Sequence, residues 1–225
     1  MTGYARYGIL ANRTFFVTQV PGLPTWHPTC NPFPGDVAAA PLRPAEVSVV
    51  PALEQGLVQV YTGEGKGKTT AALGLILRAT GWQLRSYLVQ FMKHQPTGEI
   101  AALRLLAPYV TFEQFGRPGF VLPGEATPED ISLAHQGLQR AREVLVGGEY
   151  DLVVLDEVNT AVSMGLLTEE EVLDVIAARP RHVELVLTGR GAGPGILGAA
   201  DLVTRMLDEK HPLQRGIGAR RGIEY

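Results

Sequence analysis

The segment Thr62-Gly63-Glu64-Gly65-Lys66-Gly67-Lys68-Thr69-Thr70 carries the most specific chemistry in the chain. Its Gly67-Lys68-Thr69 ending matches that of a phosphate-binding loop. There, backbone N–H groups and a helix N-terminus cradle phosphate, the lysine neutralises it, and the threonine hydroxyl can reach Mg²⁺. The glycine expected five residues before Gly67 is Thr62, with Gly63 displaced by one, so the loop is a variant of the pattern. The bland alternative, a glycine-rich turn with chance lysines, fits poorly with a loop set between a strand and a helix. Lysine usage points the same way. Only Lys66, Lys68, Lys93 and Lys210 stand against sixteen arginines. A bias toward arginine leaves lysine where a compact ammonium cannot be replaced by a planar guanidinium, and two of the four lie in this loop.

A second candidate is Leu152-Val153-Val154-Leu155-Asp156-Glu157, an apolar run ending in two acids. At the C-terminal end of a parallel strand an acid faces the ligand crevice and can hold a metal directly or through water. Asp156 and Glu157 are both candidates. A third is Leu187-Thr188-Gly189-Arg190-Gly191, from which Arg190 would reach the same crevice and could bind a polyanion.

These groups need a scaffold, and the hydrophobic pattern supplies one. Leu57–Tyr61 reads as a short strand before the loop, and a helix is expected over Thr69–Thr80, closing at Gly81. Further strands are expected at Ser86–Phe91, Val110–Phe115, Tyr150–Leu155, Val183–Leu187 and Leu202–Met206. Thr127-Pro128-Glu129-Asp130 is a helix start, with a Thr cap, Pro at the first helical position and acids in the first turn. Ile131, Ala134, Leu138, Ala141 and Leu145 then form one apolar stripe. Thr168-Glu169-Glu170-Glu171 is a capping box opening a helix that stops before Pro180. Strands alternating with helices predict an α/β domain with a mainly parallel sheet flanked by helices.

Composition bounds the rest. The 225 residues carry a net charge of −3, which disfavours a non-specific nucleic-acid partner. Cys30 is the only cysteine, so neither an intramolecular disulfide nor a Cys-rich metal site is expected. No apolar run approaches the ~18 residues needed to span a bilayer, and no membrane partner is expected. Arg6, Asn12 and Arg13 break up any apolar leader. The expected location is cytoplasmic. Residues 1–51 hold eight of the sixteen prolines, which predicts an extended or disordered arm, with the domain itself over 52–225.

With their flanks, these pieces resemble the ATP:corrinoid adenosyltransferase family over about residues 56–225. The resemblance rests on Thr62–Thr70, Val89-Gln90-Phe91 followed by Lys93, Gly98-Glu99 and Leu155-Asp156-Glu157. It continues through Arg179-Pro180, Thr188-Gly189-Arg190, Ala200-Asp201, Lys210-His211 and Gly222-Ile223-Glu224-Tyr225. It implies a P-loop NTPase domain of the RecA-like type, in which ATP lies with reversed polarity. The Co(I) of a reduced corrinoid attacks C5′ of the ribose, and triphosphate leaves. Such a reaction needs no protein nucleophile, and no Ser/His/Asp set is apparent in the sequence. On this resemblance Gly63, Glu64, Gly65, Lys66, Gly67, Lys68, Thr69 and Thr70 surround the phosphates. Thr69 with Glu157 or Asp156 holds Mg²⁺ (or Mn²⁺), Arg190 adds charge, and Arg78 lies near the nucleotide.

The family also keeps cobalt four-coordinate with apolar groups, by a Gly-Phe-x-Trp segment in bacterial relatives. Here Gly119-Phe120-Val121-Leu122 keeps the Phe and has Leu at the Trp position. The scattered His27, His94, His135, His182 and His211 do not form a cobalt-holding motif, so the corrinoid is expected as a substrate. A separate reductase and a homodimer are the implied partners. Two rivals stay open on the sequence: a small-molecule kinase or ATPase releasing ADP, and a nucleotide-dependent regulatory or nucleic-acid-binding module.

Overall fold

The computed structural model describes residues 5–10, 13–17, 53–119, 121 and 124–225. The chain divides into two units, Met1–Arg43 and Pro44–Tyr225. In the first, β1 (Ala5–Leu10) and β2 (Arg13–Val17) pair antiparallel. The rest of the expected arm, with His27 and Cys30, lies outside the described residues. So do Phe120 and Leu122.

The second unit is built on six strands: β3 (Val58–Thr62), β4 (Ser86–Phe91), β5 (Val110–Phe115), β6 (Leu152–Asp156), β7 (Glu184–Thr188) and β8 (Leu202–Arg205). They lie in the order β5-β4-β6-β7-β3-β8 and every neighbouring pair is parallel. All six carboxyl ends therefore open on one edge, where an open α/β sheet binds its ligands. No helix of the described residues is long and apolar enough to cross a membrane.

Alternation along the strands divides the core in two, because successive side chains point to opposite faces. Val153, Leu155, Leu185 and Leu187 pack on one face with α3 (Pro128–Gly147), α4 (Val158–Ser163), α5 (Glu169–Ala177) and α6 (Pro194–Ala199). Leu88, Leu152, Val154 and Val186 face the other side, against α1 (Lys68–Gly81) and α2 (Gly98–Arg104). The sheet is thus covered on both sides, which accounts for the continuous apolar run of β6.

Two helix starts form as their sequences dictate. Thr127 with Asp130 and Thr168 with Glu171 are both complete capping boxes. The expected stripe of α3 needs one correction: Ile131 is 39% exposed, while Asp130 turns inward. The Asp130 carboxylate accepts from Arg117 and from the Thr127 backbone and hydroxyl. The short α2, α4, α6 and a 3₁₀ turn at Pro212–Arg215 were not expected from the pattern. At four to seven residues they are too short to display a 3.6-residue period.

Candidate functional site

The loop leaves β3 at Thr62 and enters α1 at Lys68, with Gly63 at φ 96° and Gly67 at φ 116°. These are left-handed values that a side chain resists. A Cβ on Gly63 would lie 2.4 Å from the Met206 carbonyl oxygen, and one on Gly65 would lie 2.4 Å from that of Leu207. The Gly65 N–H donates to the Met206 carbonyl at 2.8 Å. Part of the glycine signature therefore serves close contact with the strand-to-tail segment after β8, in addition to any approach of phosphate.

Lys68 is buried, and its ammonium donates to the carbonyls of Gly63 (2.6 Å) and Gly65 (2.8 Å). These bonds fold the side chain over the loop with donor capacity to spare. Burial pushes its pKa below the ordinary range and the Arg190 charge adds to this, while Glu157, Glu64 and Asp156 oppose it.

Asp156, at the end of β6, is fully buried and lies at the centre of a hydrogen-bond network. Its Oδ1 accepts from Thr69 Oγ1 (2.8 Å) and Thr188 Oγ1 (2.7 Å). Its Oδ2 accepts from Gln90 Nε2 (3.0 Å) and Lys93 Nζ (2.7 Å). Burial alone would raise its pKa. The Lys93 charge and the bonds from Lys93, Thr188 and Thr69 outweigh that and hold the carboxyl below the usual range. With both oxygens doubly engaged, Asp156 orients its neighbours and has little left to offer a metal. Thr69 spends its only hydroxyl proton on Asp156, which leaves its oxygen lone pairs for a cation.

The adjacent Glu157 stands at φ 66°, a left-handed position rare for a residue with a side chain. Its backbone N–H donates to Thr188 Oγ1, and its Oε2 accepts from Thr160 Oγ1 at 2.6 Å. It shares a cavity of about 480 Å³ with Glu64, Gly65, Lys66, Gly67, Lys68, Thr69, Thr70 and Arg190. Arg190 is exposed and pairs with Glu64 Oε2 at 3.1 Å. Gly63 lines a smaller adjoining hollow with Thr62 and Arg205. Arg78 stands apart, exposed in the last turn of α1, about 15 Å along the axis from Lys68 at a rise of about 1.5 Å per residue. Its charge acts on the Tyr61 phenol. Among the described residues no group of three or more His, Cys, Asp or Glu could hold a metal. A cation here would need further ligands beyond Glu157 and Thr69, as hard cations held through substrate phosphates do.

Several participants carried no role on sequence grounds. Gln90, Lys93 and Thr188 bind Asp156 from β4, its following loop and β7. The rarity of lysine was a usable signal for Lys93, since it is one of the four. The tail contributes Asp208, His211, Leu213 and Glu224 to the cavity wall. The Glu224 carboxylate meets Lys66 Nζ at 2.5 Å. Nothing in local periodicity announces a tail folded back on the loop.

The chain is similar to known proteins over most of its length. Residues 54–225 match the family described as ATP:corrinoid adenosyltransferase BtuR/CobO/CobP. The corrinoid adenosyltransferase of Pseudomonas aeruginosa is 39% identical over 173 residues, covering 76% of this chain and 85% of that protein. The corrinoid adenosyltransferase CobA of Salmonella typhimurium is 37% identical, covering 76% of this chain and 87% of its own length. The corrinoid adenosyltransferase of Escherichia coli K12 is 36% identical with the same coverage. The glycine-rich loop, the buried acid beneath it and this extent of similarity lead to one conclusion: the chain belongs to the ATP:corrinoid adenosyltransferase family.

Proposed function

We propose that the chain transfers the 5′-deoxyadenosyl group of ATP to the Co(I) of a reduced corrinoid, in adenosylcobalamin biosynthesis or salvage. The Co(I) electron pair forms the cobalt–carbon bond at C5′. The C5′–O bond breaks, and its electron pair leaves with inorganic triphosphate. The observation that carries this reading is the convergence of Lys68, Thr69, Glu157 and Arg190 on one cavity above Asp156. That set suits gripping a polyphosphate leaving group: Lys68 is folded onto loop carbonyls, Thr69 donates to Asp156 and Glu157 accepts from Thr160.

In this reading ATP lies with its triphosphate in the loop and its ribose methylene toward the acceptor. Lys68 and the amides of the loop stabilise charge as it builds on the departing oxygen, a preorganised contribution of the kind that dominates such sites. Arg190, from the loop after β7, adds a further cation. Glu157 and Thr69 would hold Mg²⁺ or Mn²⁺, and their hard oxygen donors fit such an ion. When bound, the ion neutralises phosphate charge. Asp156 keeps Thr69 oriented and binds no ion itself. The role that family resemblance gives Phe120, keeping an axial ligand off cobalt, is part of the same proposal. A cytoplasmic homodimer served by a separate reductase completes it.

Incubation with ATP, Mg²⁺ and chemically reduced corrinoid tests the reading through both products. Triphosphate together with a light-sensitive alkylcobalt species is expected. Release of ADP would identify a kinase or ATPase and overturn it.

A further inference from the structure

The two lysines of the loop are held in different ways. Lys68 is buried and tied to carbonyls of its own loop, whereas Lys66 is half-exposed and tied to a carboxylate from the far end of the chain. That carboxylate, Glu224, is secured without Lys66. Its Oε2 accepts from the Arg220 backbone N–H (2.7 Å) and Nε (3.2 Å), and its Oε1 accepts from Arg220 Nη2 (3.1 Å). Lys66 and Glu224 line the same cavity as Lys68 and Thr69. An anionic side chain therefore occupies the flank of a site built for a more highly charged anion. An exposed ion pair of this kind is weak. If Lys66 left it, the Glu224 carboxylate would still be compensated by Arg220.

We propose that Glu224 sets the affinity of the phosphate site by competing with the polyphosphate for the Lys66 ammonium. Lys66 turns from Glu224 to the phosphate chain when nucleotide enters. It returns to Glu224 as triphosphate leaves, which shortens the lifetime of the product complex. Lys68 grips throughout, and Lys66 is the exchangeable contact. The proposal rests on the reading that triphosphate occupies this cavity.

Calorimetric titration of the full chain with inorganic triphosphate and Mg²⁺ tests it, using wild type, Glu224→Gln, Glu224→Asp, Lys66→Met and the Glu224→Gln/Lys66→Met double variant. Glu224→Gln is expected to bind triphosphate about two- to five-fold tighter, the range an exposed pair supports, with turnover lowered where product release limits it. Glu224→Asp, which keeps the charge, stays near wild type. In the Lys66→Met background the Glu224→Gln change has no further effect. Unchanged or weaker binding by Glu224→Gln, in a variant with a wild-type melting curve, would overturn the proposal. So would tighter binding that persists without Lys66, since the carboxylate would then act through the general field of the pocket. Failure of the wild-type chain to bind triphosphate would instead overturn the reading of the cavity, and the proposal with it.

Discussion

The Thr69 hydroxyl donates to Asp156 Oδ1 across 2.8 Å, joining the start of α1 to the end of a strand two places away from β3 in the sheet. Since Asp156 also accepts from Thr188, Gln90 and Lys93, one buried carboxylate ties the glycine-rich loop to β4, β6 and β7.

This arrangement separates the two neighbouring acids by experiment. Asp156→Ala removes the shared acceptor and strands the Lys93 charge beside desolvated hydroxyls. A loss of about 3 kcal/mol in urea unfolding is expected, as for breaking a buried pair from one side. Glu157→Gln, on the cavity wall, should change stability by less than about 1 kcal/mol. It should lower turnover and raise the Mg²⁺ concentration needed for half-maximal rate. Equal destabilisation by both variants would contradict the division of roles.

Lys68→Ala should reduce turnover by about 10²-fold or more while far-UV circular dichroism stays unchanged, the typical cost of one preorganised donor. Lys68→Arg should fail to restore the rate. Its planar fork cannot reproduce bonds to two carbonyls of one tight loop from a buried position. Near-normal turnover in a folded Lys68→Ala variant would remove Lys68 from the mechanism.

Gly65 tests how far the tail belongs to the site. Its Cβ would fall 2.4 Å from the Leu207 carbonyl oxygen, a backbone atom with little room to yield. Gly65→Ala should cost about 1–3 kcal/mol as an overpacking change. It should also weaken triphosphate binding, because the segment forced away leads into the wall that carries His211 and Glu224. Full stability with lost binding would place the defect at the phosphate instead.

The parts legible in the sequence were those governed by local rules. The loop showed through its glycines and rare lysines, β6 through its apolar run and terminal acids, and α3 and α5 through capping residues that close as reciprocal boxes. What stayed hidden depends on strand order. Thr188 meets Asp156 because β7 lies beside β6, and Gly63 needs its freedom because β8 pairs with β3 and delivers Met206 beside it. Glu224 reaches Lys66 across more than half the chain, a separation no periodicity encodes. Ile131 was misplaced for a related reason. Asp130 takes its partner, Arg117, from outside the helix, a contact that the apolar period of α3 does not encode.

That same Asp130 should contribute to the acid sensitivity of the domain. It is buried and accepts from Arg117 Nε at 2.7 Å and from the Thr127 backbone N–H (2.9 Å) and hydroxyl (2.7 Å). The Arg117 bond and the Thr127 bonds, against the opposing effect of burial, hold its pKa at about 2. An unfolded Asp titrates near 3.9. Because the folded value is the lower one, the carboxylate contributes stability that is fully present above about pH 4 and is lost as pH falls toward 2. One such group gives a slope of at most about 1.4 kcal/mol per pH unit. Asp130→Asn should therefore lower stability at pH 7, and the difference from wild type should shrink between pH 4 and pH 2 in urea titrations. Arg117 and Thr127 bracket the sequence that contains Phe120 and Leu122, and both bind this one carboxylate. If that segment faces the corrinoid, Asp130→Asn should raise the KM for corrinoid more than the KM for ATP at pH 7. Parallel changes in both would reduce Asp130 to a helix cap.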